Sequence, residues 1–130
     1  MTDKPRLRLW IGRTVVAICA LFLVFDSVGK LLKVAPVVAG TTELGYAESV
    51  IIPLGIVQLS CLILYLVPRT RILGALLLTA YLGGAVATHV RVGSPLLTHV
   101  LFPTYLGAMV WGAIALMDDR LLMLLRPRQS

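Results

Sequence analysis

Four stretches of this chain are too long and too apolar to belong to an ordinary soluble domain. They are Trp10–Leu32, Val50–Val67, Ile72–Val90 and Leu96–Met117. Each approaches or exceeds the roughly 18 apolar residues that mark a membrane span. A soluble four-helix bundle would show a polar face on every helix, and none of these blocks has a full one. Composition agrees: 14% of residues are charged, against about 25% in a soluble domain. The expected fold is all-α, an integral membrane four-helix bundle forming a single domain over 1–130. Its helices are expected at about 10–32, 50–67, 72–90 and 96–117.

The net charge of +6 would suggest nucleic acid in a soluble chain. Here the basic residues sit at span ends, so they report topology and no nucleic-acid partner is expected. With four spans, Lys4, Arg6, Arg8, Arg13, Arg69, Arg71, Arg120, Arg126 and Arg128 share one side. Lys30, Lys33 and Arg91 lie on the other. The positive-inside rule then places both termini in the cytoplasm, an N-in/C-in protein of the cell membrane. The first block imitates a signal peptide, but Asp26-Ser27-Val28 supplies no A-x-A-like cleavage site. Cys19 and Cys61 lie mid-helix outside any CxxC pair, which argues against a disulfide-generating enzyme and for packing thiols.

The connections carry their own signals. Pro36 and Gly45 can bracket a short interfacial helix at about 36–44. Pro68-Arg69-Thr70-Arg71 is short enough to force a tight antiparallel hairpin. The third block carries Ala80, Gly84 and Thr88 on one stripe, so this helix is expected to be the most buried, with the stripe against a neighbour. Ser94-Pro95 reads as an N-cap followed by an N1 proline. Pro103, inside the fourth block, predicts a kink and a freed His99 carbonyl. The tail from Asp118 includes a short apolar run, Leu121–Leu125.

The polar groups of the spans cluster at the extracytoplasmic end. Asp26 and Lys30 are i,i+4 and face the same side. An acid so far into a span costs roughly 2.5–3.5 kcal/mol at the bilayer centre, less near the interface, and normally faces the bundle interior beside a partner. Lys30 and Arg91 are the candidates. The plain alternative is a neutralised pair that pins the helix while Lys30 snorkels outward. His89 is a residue type suited to proton transfer near neutral pH, or else a helix-end hydrogen-bonder. With His99 it could form a metal or haem pair, but the spacing matches no metal signature, so no metal is assigned. The candidate catalytic residues are therefore Asp26, Lys30 and His89. The candidate ligand-binding residues are Tyr81, Thr88, Arg91, His99 and Glu48, with Tyr81 and Tyr105 also readable as packing and belt aromatics.

FDSVGKLLK closing the first block, LGYAE before the second, LVPRTRILGALLL across the hairpin and YLGGAVATHVRVGSP closing the third together resemble the DoxX-like family of small bacterial membrane proteins. The resemblance covers about residues 8 to 120. It implies a four-helix membrane bundle. The family's namesake is similar to a subunit of an archaeal quinone-linked thiosulfate oxidoreductase, and for other members the resemblance implies work beside redox or stress-defence proteins. It supplies no catalytic set and no cofactor. The leading expectation is an accessory protein that binds an apolar ligand, quinone or lipid-like, in an outward-facing pocket, beside a redox partner or as a homo-oligomer. The second is an acid/base enzyme using Asp26, Lys30 and His89 on a hydrophobic substrate. The third is a small transporter subunit, which would need deep polar residues; Gln58 is the only candidate.

Overall fold

A computed structural model describes residues 3–127, with side chains from Arg6 onward. The side chain of Lys4 and the residues from Arg128 on, which enter the charge count above, lie outside what is described. Six helices follow in order: α1 Asp3–Leu31, α2 Ala35–Glu43, α3 Ile51–Leu66, α4 Arg71–Arg91, α5 Phe102–Met117 and α6 Asp119–Leu125. No strand occurs among the described residues. Four segments are long and apolar enough to span a membrane: Arg6–Leu31, Glu48–Leu66, Pro68–Arg91 and Leu96–Met117. They form a ring in which α1 packs on α3 and α5, and α4 on α3 and α5. The core is a thin column that includes Cys19 and Leu23 of α1, Leu62 and Tyr65 of α3, Leu78 of α4 and Val110 of α5. Tyr65 brings a hydroxyl into that column and donates it to the Val110 carbonyl at 3.0 Å. Outside the column the helices are greasy and open, with Leu21 73% and Phe25 81% exposed. That is the surface of a bundle whose solvent is lipid.

Local chemistry sets the boundaries. At about 1.5 Å per residue, α1 is longer than the roughly 30 Å hydrocarbon core. Arg8 ties its start to the end of α5 by donating to the Ala115 carbonyl at 3.2 Å and to Asp119 Oδ1 at 3.1 Å. The start of α1 and the end of α5 therefore share one end of the bundle. At the other end α4 closes in a Schellman motif. Ser94 N–H bonds the His89 carbonyl at 3.0 Å and Gly93 N–H bonds the Val90 carbonyl at 3.2 Å, with Gly93 left-handed at φ 72°. α1 ends the same way through Lys33, whose φ of 50° is unusual for a residue with a Cβ. The expected interfacial helix is α2.

Three expectations change. Ser94 caps no helix; its hydroxyl turns back to His89. The fourth span does not kink at Pro103 but breaks before it. Leu96–Val100 is a π-helical turn, and α5 restarts at Phe102 with Pro103 in its first turn, where a missing N–H costs little. Finally, α4 is not the most buried span: 22% of it is buried, against 33% for the spans built on α3 and α5. Ala80, Gly84 and Ala87 are exposed, and nothing lies within 4 Å of a Cβ built on Gly83 or Gly84. The close helix contact is at Gly74 instead, where a Cβ would sit 2.6 Å from the Leu64 carbonyl carbon. The Pro68–Thr70 turn draws α3 and α4 together there, so small size is needed beside the hairpin and not along the stripe.

Candidate functional site

The polar residues of the spans form two groups. The first is a buried network across α1, α3 and α4. Lys30 pairs with Asp26 one turn earlier and donates to Gln58 Oε1 at 2.9 Å. Tyr81 donates its hydroxyl to the same oxygen at 3.0 Å, and Gln58 Nε2 points back to the Leu23 carbonyl at 3.4 Å. Gln58 is 1% exposed, while the Lys30 and Asp26 side chains are 12% and 34% exposed. The contact depends on Gly55: a Cβ there would lie 2.9 Å from Lys30 Cβ and 3.2 Å from the Ser27 carbonyl oxygen. Without a side chain at that position α1 and α3 close up, and Lys30 reaches Gln58. Ser27, next to Asp26, has a buried hydroxyl with no partner. The Leu23 carbonyl, four residues back and the usual acceptor for a helical serine, is the one Gln58 uses.

Gln58, at the centre of this network, is not among the residues expected for the site. It is the only carboxamide within the four apolar blocks, and a polar group at that depth needs partners. That signal was available. Its partners were not, because they depend on how three helices are rotated.

The second group lies at the end of α4 and in the π-helical turn before α5. The His89 and His99 rings stand edge to face with centroids 5.9 Å apart. His89 Nδ1 meets Ser94 Oγ at 3.0 Å and His99 Nδ1 meets Thr98 Oγ1 at 2.8 Å. The Nε2 atoms have no hydrogen-bond partner among the described residues. Thr88 donates to the Gly84 carbonyl at 2.8 Å and so accepts the Tyr46 hydroxyl at 2.7 Å. Glu48 pairs with Lys33 at 3.1 Å, and Arg91 makes no ion pair among the described residues. Asp26 and Lys30 are thus joined to Tyr81. His89 is joined to His99, and no hydrogen bond or ion pair among the described residues links the two groups.

A groove of about 370 Å³ runs between α4 and α5. Thr79, Gly83 and Val86 line it on one side, Pro103, Gly107 and Trp111 on the other. It exists because small residues meet where the fourth span is broken. Its walls are apolar apart from Thr104 and one internal bond, Trp111 Nε1–H to Thr79 Oγ1 at 2.7 Å. Leu82, Val86 and His89 stand i, i+4, i+7 on one face of α4, so the histidine pair sits about one turn beyond the Val86 end of the groove. A second hollow lies at the opposite end of α4. Neither hollow is lined by Asp26, Lys30 or His89.

Among known proteins, the sequence model of the DoxX-like family matches residues 14–113. No curated protein and no solved structure matches the chain.

Proposed function

The chain belongs to the DoxX-like family and is a small multi-pass membrane protein; from that premise we propose that it binds a membrane-dissolved apolar molecule of the quinone or lipid class. The observation that carries the reading is the α4–α5 groove, apolar along its length and followed by two imidazoles. Ligand pockets are usually apolar clefts with a few placed polar groups. An isoprenoid or acyl tail would lie against Val86 and Gly107. A carbonyl or hydroxyl head would meet the His89 and His99 nitrogens that face no protein partner. Asp26, Lys30, Gln58 and Tyr81 engage one another, which leaves the groove and the histidines for a ligand; in this reading the protein binds it in the cell membrane beside a redox partner. Turnover through Asp26, Lys30 and His89 is the weaker reading, because Asp26 and Lys30 are engaged with each other and with Gln58 while His89 stands in the other group.

Gly83→Leu tests this. The added side chain meets no protein atom at its Cβ and extends into the groove. Native mass spectrometry of gently purified wild type should show an apolar adduct, and Gly83→Leu, folded, should lack it. An adduct retained by Gly83→Leu, or none on wild type after extraction in native lipid discs, would refute the proposal.

A further inference from the structure

The second hollow, about 180 Å³ in volume, lies at the α3–α4 hairpin beside the end of α5. Pro68, Ile72, Ile114 and Met117 form its apolar wall, and it carries two opposite charges, Arg71 and Asp118. These two do not pair with each other. Each is held in place by backbone. Arg71 Nε donates to the Tyr65 carbonyl at 3.1 Å and Nη2 to the Leu66 carbonyl at 3.3 Å. Asp118 Oδ1 accepts the Arg120 backbone N–H at 2.9 Å. A guanidinium has five N–H donors, so Arg71 keeps several unspent, and Asp118 keeps its second oxygen. The neighbouring acid, Asp119, is occupied by Arg8. Arg71 lies in the first turn of the span Pro68–Arg91 and Asp118 directly follows the span Leu96–Met117, so both belong to span ends, where headgroups lie.

We propose that this hollow binds the headgroup of a phosphatidylethanolamine-type lipid. A cation and a carboxylate held apart in one hollow complement a ligand that carries a phosphate and a primary ammonium. Arg71 takes the phosphate, the geometry for which its planar fork is suited. Asp118 takes the ammonium, and the acyl chains pass along Ile72 and Ile114. A choline headgroup has no N–H to donate to Asp118, and a glycerol headgroup has no cation at all. The hollow shares no lining residue with the α4–α5 groove, and the proposal does not rest on the ligand assigned there.

The experiment exposes full-length protein to an equimolar mixture of phosphatidylethanolamine, phosphatidylcholine and phosphatidylglycerol with matched chains, then reads retained lipid by native mass spectrometry. Wild type should retain the ethanolamine lipid over each of the others by about fivefold, as one exposed charge contact near 1 kcal/mol allows. Asp118→Asn and Asp118→Ser both preserve a good N-cap for α6. Both should melt as wild type and lose the preference for ethanolamine over choline. Equal retention by wild type overturns the proposal. So does an ethanolamine preference that survives both variants, or a dominant glycerol lipid, which would mark attraction to the surrounding arginines alone.

Discussion

Replacing Gln58 by Leu tests whether the buried network holds the bundle together. The volume is nearly kept, so the change is chiefly the loss of hydrogen bonds. Lys30 and Tyr81 both lose their acceptor, and the weak contact to the Leu23 carbonyl disappears. A hydrogen bond to a charged group contributes about 1.5–3 kcal/mol and a neutral one about 0.5–1.5 kcal/mol. Interhelical bonds measured in a membrane protein average only about 0.6 kcal/mol. The membrane value sets a floor of roughly 1 kcal/mol for two bonds, and the charged Lys30 contact raises the expected loss to about 2–4 kcal/mol. Lys30 keeps Asp26, so the upper end is not approached by stranding a lone charge. The assay is unfolding followed by circular dichroism in mixed micelles of increasing denaturing-detergent fraction. Tyr81→Phe alone should lose about 0.5–1.5 kcal/mol. In the double mutant the two effects should fail to add by at least about 0.5 kcal/mol, as expected for residues in contact. A Gln58→Leu variant within 0.5 kcal/mol of wild type, or strict additivity with Tyr81→Phe, would show that the network does not couple α1, α3 and α4.

Gly74→Ala should lose about 1–3 kcal/mol or more through overpacking against the α3 backbone, whereas Gly84→Leu should melt like wild type; the reverse order would place the α4 stripe inside the bundle. Asp26→Asn keeps the shape of the Lys30 partner and should stay folded, while Asp26→Ala leaves Lys30 with Gln58 alone and should lower the melting midpoint; equal midpoints would count against a structural pair. Reporter fusions after Ser130 and within residues 38–42 should fall on opposite sides of the membrane, the first cytoplasmic; a shared side would refute four spans.

What the chain decided by itself is local along one dimension, although Ser94 caps no helix and the fourth span breaks before Pro103 rather than kinking at it. Span count follows from block length and hydropathy, which need no neighbour. The Asp26–Lys30 pair follows from the i,i+4 geometry of a single helix, and α2 from a proline and a glycine nine residues apart. The rotation of each helix about its axis is different. In water a polar face marks the outside, but lipid tails are as apolar as a leucine core, so membrane helices carry little such mark. For that reason Ala80, Gly84 and Thr88 read as an interface while the glycines packed at helix contacts include Gly55 and Gly74. Gln58 likewise stood out only as a deep polar residue. Its role as common acceptor for Lys30 and Tyr81 depends on where the hairpin turn and the Gly55 contact set α3 and α4. The separation of the histidine pair from Asp26 has the same origin. Residues sharing a depth in the bilayer share a site only if their helices turn them toward one another, and that is decided by packing.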